Sequence, residues 1–279
     1  MSPANPGWQP AIANYAGRDL RERQHWYSPA AAIYARVRPG YPAAWIERLG
    51  AIAGFSASSR LLELGCGPAL ATLPFARLGC QLTALEPNPD FFALAEQACA
   101  AYPQVRVQNF AFETWPLEPQ RFDGVLAATS WHWIPAAVSY PKAAAALKPR
   151  GRLLLLWNKQ LQPAAPLYQA LQPAYDRYAP HLFRYESPAA QVEVIQDLGQ
   201  VVLNSGYFDG LQTGHEWRDV TYSVEDYLAL LTTYSPYLVL EPGVRTALLA
   251  ELRLILQAQA GDRLDLTYLA AYHLGTKRA

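Results

Sequence analysis

The chain is poor in cysteine and in charge. Its three cysteines, Cys66, Cys80 and Cys99, show neither CxxC spacing nor companion histidines, which excludes a disulfide framework and a zinc site. They are read as reduced thiols, with Cys80 and Cys99 in the core, and no metal site is expected. An excess of charge of one sign is missing too. Lys+Arg and Asp+Glu both number 23, so no basic surplus stands ready to neutralise a phosphate backbone, and no nucleic-acid partner is expected. Long apolar runs are also absent: no segment approaches the ~18 residues of a membrane span. The N-terminus, "MSPANPGWQPAIANYAGRDLRERQHW", has no basic stretch leading into an apolar one. A cytoplasmic protein without a membrane partner is the expectation. With 51% hydrophobic and 16% charged residues among its 279, the chain is too apolar for disorder.

What is present is an alternation. From Arg60 to Trp157 the runs "RLLEL", "QLTALEP", "VRVQNF", "FDGVLAA" and "GRLLLLW" read as strands, buried on both faces where the run is unbroken. Between them lie helical segments. "TLPFARLG" has Thr72 as N-cap, Pro74 in the first turn and Gly79 as the stop, and "NPDFFALAEQACAAYP" opens on Asn88 and Pro89. Strand-helix alternation with right-handed crossovers predicts a doubly wound α/β sheet. Residues 159–207, rich in Pro, Gln and Tyr, read as a helical insertion over the sheet's edge rather than a second domain. The alternation resumes with "LQTGHEWRDV" as a strand, a helix opened by the capping box from Ser223 to Asp226, an amphipathic helix over 244–260 and a last strand "RLDLTYLAAYHL". A single domain is expected, divided into an N-terminal extension (1–57), a cofactor-binding core (58–158), the insertion (159–207) and a C-terminal part (208–279).

The stretch "LLELGCGPALAT" carries the chemistry. In an open parallel sheet, ligands bind at the carboxyl ends of the strands, and the first strand-to-helix turn must let them approach the backbone. Gly65 and Gly67 fall there. A dinucleotide fingerprint needs a third glycine where Leu70 stands and has no use for Glu63 inside the strand. Both points weigh against NAD and toward a ligand with an amino group and a ribose but no pyrophosphate, such as S-adenosylmethionine. Glu63 would then take up positive charge, directly or through water. Glu86, ending the next strand, follows Gly67 at close to the ~20 residues expected for a carboxylate on a ribose diol; its alternative is a solvated charge at a helix start. Phe112 either packs on an adenine ring or is plain core, and Glu113 or the local backbone meets the ring's edge.

The order "ELGCGPA", "LEPN", "FETWPL", "RFDGVLAATSWHWI" and "LKPRGRLLLLWN" resembles the class I S-adenosylmethionine-dependent methyltransferases, within them the small-molecule group of trans-aconitate and juvenile hormone acid methyltransferases. "YARVRPGYP" is similar to that group's N-terminal segment. The resemblance implies a Rossmann-like, seven-stranded sheet with its last strand antiparallel. It implies Gly65, Cys66 and Gly67 against the methionine part of the cofactor, Glu86 with Pro87 at the ribose, and Thr129 and the residues after it toward the transferred methyl. Arg38 matches an arginine that meets the cofactor carboxylate; its alternative is a surface arginine before a Pro-Gly turn. Two positions depart from the pattern. Ala69 replaces the third motif glycine, which is tolerated where close packing and not positive φ is needed. Ala111 stands where an aspartate often reads adenine.

The substrate side is "SWHWI", Ser130 to Ile134, which lacks the N/D-P-P-Y pattern of base-amino methylating enzymes. Trp131 and Trp133 would wall a small-molecule acceptor around His132, the candidate catalytic group. Trp157 and Asn158 end the fifth strand at the same edge, and Tyr234 and Ser235 approach from the C-terminal part. Each has packing as its alternative role. The expected reaction is methyl transfer to an oxygen nucleophile, a carboxylate first. A nicotinamide oxidoreductase and a non-catalytic S-adenosylmethionine-binding protein are the competing readings. Oligomeric state leaves no mark in the pattern.

Overall fold

A computed structural model describes residues 16–279. The first fifteen residues of the expected N-terminal extension lie outside it. Strands β1 (Arg60–Leu64), β2 (Gln81–Leu85), β3 (Val105–Gln108), β4 (Phe122–Ala128) and β5 (Leu147–Asn158) are parallel, as the strand-helix alternation predicts. After β5 come β6 (Gln162–Pro163), β7 (Phe208–Ser223) and β8 (Arg263–Lys277), all joined antiparallel. The order across the sheet is β3-β2-β1-β4-β5-β8-β6, with β7 along the other edge of β8. The eighth strand beyond the expected seven is β6, a two-residue piece that extends the β5 side of β8.

The chain runs outward from β1 to β3 and then returns to lay β4 on the opposite side of β1. The ends of β1 and β4 therefore border the switch point, where neighbouring loops diverge and leave a crevice. Two apolar layers cover the sheet. Leu61 faces one with Trp45, Ile46 and Phe75, while Leu62 and Leu64 face the other with Val125 and Leu153. This is the period-two alternation of a strand buried on both sides. It turns Glu63 to the same face as Leu61, where it is fully buried.

The insertion is woven into both layers rather than lying over an edge. Tyr175, in the helix Gln172–Tyr178, joins Leu248 and Leu252 of the helix Pro242–Ala260 in the first layer; Ile195 and Val202, in the helix Pro188–Asn204, join Phe208 and Leu269 in the second. Helix starts largely follow the sequence. Asn88 accepts from the amides of Asp90 and Phe91, and Ser223 accepts from that of Asp226. Thr72 is an exception: Ala71 is the N-cap, and Thr72 is the first helical residue, fully buried with its hydroxyl unpartnered.

Candidate active site

One cavity of about 280 Å³ opens at the switch point. Its floor is the turn after β1. Gly65 (φ 64°), Gly67 (φ 56°) and Ala69 (φ 69°) all lie in the left-handed region. The expectation that Ala69 needs only close packing is therefore corrected: the turn demands positive φ at a third position, and alanine holds it at a cost of roughly 1–2 kcal/mol. Its methyl is fully buried beside Cys66, Ala84 and Ala95. A Cβ on Gly65 would sit 2.9 Å from that of Ser130, whereas one on Gly67 would meet nothing within 4 Å. Gly65 thus lets β1 and β4 close up, and Gly67 leaves open space.

Glu86 spans the turn. Its Oε2 accepts from the Gly67 amide at 2.7 Å and its Oε1 from the Asn88 amide at 2.8 Å. Each oxygen keeps a second lone pair, and the side chain lines the cavity. Burial pushes its pKa up to about 7, partly offset by these two bonds. Glu63 is different. It does not line the cavity, and neither carboxylate oxygen has a partner in hydrogen-bonding geometry. Burial pushes its pKa up to about 7 as well, against a smaller opposing effect of the neighbouring Thr72 hydroxyl. The strand's alternation places Glu63 beneath the turn, away from the cavity wall.

Arg38 lines the cavity, where Nε donates to the Thr233 hydroxyl at 2.8 Å and Nη2 to the Thr233 carbonyl at 2.7 Å. Its guanidinium lies 4.7 Å from the Tyr34 ring centre and 4.2 Å from that of Tyr234. Pro87, Cys66, Phe112 and Glu113 also lie on the wall. Phe112 serves as core too, stacked on Trp115. Glu113, expected at the adenine edge, has Oε1 taken by Arg23 Nη1 at 2.6 Å. That cation comes from the helix Leu20–His25, and the same nitrogen donates to the Trp133 carbonyl at 2.5 Å. Burial raises the Cys66 thiol well above its ordinary value, so it is an inert wall.

At the end of β4, Thr129 adopts φ 56°, which strains a β-branched residue. Its oxygen lies 3.1 Å from the Tyr41 hydroxyl and accepts from the Asn158 amide at 3.2 Å. His132 follows on the cavity wall with Trp133, and burial pushes its pKa down to about 4, so it is neutral at physiological pH. Asn158, Tyr234 and Ser235 line the same cavity; the Tyr234 hydroxyl accepts from the Leu161 amide, and Ser235 Oγ lies 2.8 Å from the Tyr27 hydroxyl. Trp131 and Trp157 do not line it. Both belong to the second apolar layer, Trp131 edge-on to Tyr140 and Trp157 beside His273, because their strand and turn positions face inward.

Sequence reasoning missed Tyr27, Tyr34, Tyr41, Phe91 and Arg23 on the wall. Tyr34 and Arg38 sit four residues apart at the end of the helix Ala31–Val37, a spacing that puts them on one side. Arg23 left no local signal, since its partner is ninety positions away. Among the described residues no cluster of three or more His, Cys, Asp or Glu could hold a metal, and no helix is long and apolar enough to cross a membrane.

A glycine turn after β1, an acid closing β2 and a cavity between them at the switch point sit in a Rossmann-like sheet of the kind that methyltransferases share. Residues 62–155 match the family described as "Methyltransferase domain". An uncharacterized methyltransferase of Mycobacterium bovis is 34% identical over 132 residues, covering 47% of this chain and 51% of that protein. The chain thus spans about half the length of the mycobacterial relatives it matches. A ubiquinone biosynthesis O-methyltransferase of Xanthomonas campestris is 27% identical over 176 residues, 58% of this chain and 69% of that one. Among solved structures, a candidate type II methyltransferase of Anaeromyxobacter dehalogenans superposes with a TM-score of 0.63 at 21% identity, covering 86% of this chain and 97% of that one. The fold is shared along nearly the whole chain.

The residues present fit S-adenosylmethionine. The open cradle at Gly67 admits a ligand against the backbone, Glu86 offers lone pairs to a diol, and Arg38 offers a cation.

Proposed function

We propose that the chain is a methyltransferase that uses S-adenosylmethionine to methylate an oxygen of a small molecule, with no nucleic-acid substrate. The observation that carries this is the continuity of one cavity from the Gly67–Glu86 unit to His132. In this reading Gly65, Cys66, Gly67 and Arg38 bound the methionine end, Glu86 and Pro87 the ribose and Phe112 the adenine, with Thr129 at the junction to the acceptor. The cofactor supplies a methyl already activated on a sulfonium; the protein's tasks are alignment and exclusion of water.

The acceptor narrows at His132. A carboxylate, the nucleophile first in line from the sequence, would want a cation there, and a neutral imidazole offers none. A hydroxyl suits it better: the neutral ring can hold the hydroxyl by a hydrogen bond and take its proton as the oxygen attacks the methyl carbon, although the burial that keeps the ring neutral also weakens it as a base. The Xanthomonas relative, named for O-methylation, points the same way. Trp133, Asn158, Tyr234 and Ser235 form the acceptor's walls. A screen with radiolabelled methyl donor over small phenols, alcohols, acids and amines tests the proposal. Label transferred to hydroxyl compounds, and lost in His132→Asn by ~10²–10⁴-fold, supports it; label on acids alone, or full activity in His132→Asn, overturns the hydroxyl assignment.

A further inference from the structure

His273, which lines no part of the cavity, uses both of its ring nitrogens. It sits in the second half of β8, 1% exposed, opposite Leu155 of β5 and Thr213 of β7. The Trp157 indole N–H donates to its Nδ1 at 2.9 Å. An indole can only donate, so Nδ1 carries no proton and the neutral ring holds it on Nε2. Nε2 lies 2.9 Å from the Ile195 carbonyl and donates to it. The tautomer is thereby set by the partners. Burial pushes the ring's pKa down to about 4, in keeping with a neutral imidazole.

The surroundings are built to admit this ring. On the helix Pro188–Asn204, a Cβ at Gly199 would lie 3.0 Å from Nε2 and 3.1 Å from Cδ2 of His273. A leucine at position 273 would fill an apolar layer without the desolvation that an imidazole incurs. What the imidazole adds is direction: it fixes the rotation of the Trp157 indole. That indole lies beside His132, with ring centres 6.1 Å apart and planes 28° from parallel. Trp157 is therefore a backing plate behind the one histidine on the cavity wall.

We infer that His273 is a positioning residue, which orients the His132 imidazole toward the cavity by locking the Trp157 indole between β5 and β8. The inference rests on the reading of His132 as the proton acceptor.

The test uses the free full-length protein with isotopically labelled histidine and tryptophan, following the His132 ring and the Trp157 indole N–H by NMR. His273→Gln keeps an acceptor for the indole and a donor for the Ile195 carbonyl, and His273→Leu keeps neither. His273→Gln should leave the His132 resonances and titration near those of wild type. His273→Leu should displace both signals and shift the His132 titration midpoint away from that of wild type as the ring leaves its place on the cavity wall. Trp157→Phe, which removes the donor from the other side, should move His132 in the same direction, and the double variant should add little more. This second variant keeps the test sharp if His273→Leu does not fold. Unchanged His132 signals in a folded His273→Leu or Trp157→Phe protein overturn the inference. Calorimetry with S-adenosylhomocysteine on the same samples separates the two claims. Wild-type protein that fails to bind it overturns the methyltransferase reading, while the NMR comparison still decides what His273 does to His132.

Discussion

The Gly67 amide donates to the Glu86 carboxylate at 2.7 Å, so the turn that ends β1 and the acid that ends β2 form one hydrogen-bonded unit. Ligand contact and local stability are coupled through that bond. The expectations below separate them.

Gly67→Ala should weaken S-adenosylhomocysteine binding at least tenfold while the protein stays folded. The added methyl meets no protein atom within 4 Å, so it projects into space the ligand needs. Its left-handed φ costs roughly 1–2 kcal/mol, which lowers Tm by a few degrees. Gly65→Ala is the less informative change, because its methyl strikes Ser130 and disturbs the fold as well. Calorimetry beside thermal melts reads both effects.

Glu86→Ala should damage binding and stability together. It orphans the amides of Gly67 and Asn88, each at a cost of about 1–3 kcal/mol, and removes the charged acceptor proposed for the ribose. A fall in affinity of about tenfold or more is expected, with a lowered unfolding midpoint in urea. Normal affinity would remove Glu86 from the site.

Buried Glu63 makes stability depend on pH. Its pKa is raised to about 7 in the fold. A raised acid contributes stability that is complete below its ordinary value of 4.5 and is lost as pH rises through 7. Glu63→Gln removes that dependence. Its stability relative to wild type should climb between pH 4.5 and pH 7 by up to about 3 kcal/mol. His132 and His273, lowered to about 4, act with the opposite sign: their contribution is complete above 6.5 and is lost as pH falls through 4. Both proteins share those histidines, so their effect cancels in the difference. Urea titrations at pH 5 and pH 8 provide the check, and a constant difference would contradict the burial account.

Arg23→Met should release the helix Leu20–His25 from the cavity rim. The change leaves the Glu113 carboxylate and the Trp133 carbonyl without their shared donor, and the ion pair is largely buried, at 10% and 16% side-chain exposure. Hydrogen exchange in this helix should quicken about tenfold or more, since a bond to a charged group is worth ~1.5–3 kcal/mol. Unchanged exchange would show that apolar packing alone holds the helix.

The parallel core was legible because each of its elements is local. Short runs rich in Leu, Val and Ala announce β1, β2, β4 and β5, the alternating "VRVQ" announces β3, Asn88 and Ser223 announce their helices, and Gly65, Gly67 and Glu86 fall where strands must end. What was illegible is long-range or conformational. The Arg23–Glu113 pair joins residues ninety positions apart. The positive φ of Ala69 and Thr129 is imposed by the turn and the strand end against the residues' own preferences. Trp131 and Trp157 look like cavity walls in the sequence because aromatic rings serve cores and sites alike; only their facing, set by the strand's pleat and the turn, assigns them to the second layer. The short β6 has too few residues to carry a period.

Titration calorimetry of the wild-type protein with S-adenosylhomocysteine, run beside NADH, tests the central claim most directly. The account predicts saturable binding of S-adenosylhomocysteine at one site per chain, weakened by Gly67→Ala and Glu86→Ala, and no comparable heat with NADH. Absence of S-adenosylhomocysteine binding, or a preference for NADH, would contradict it.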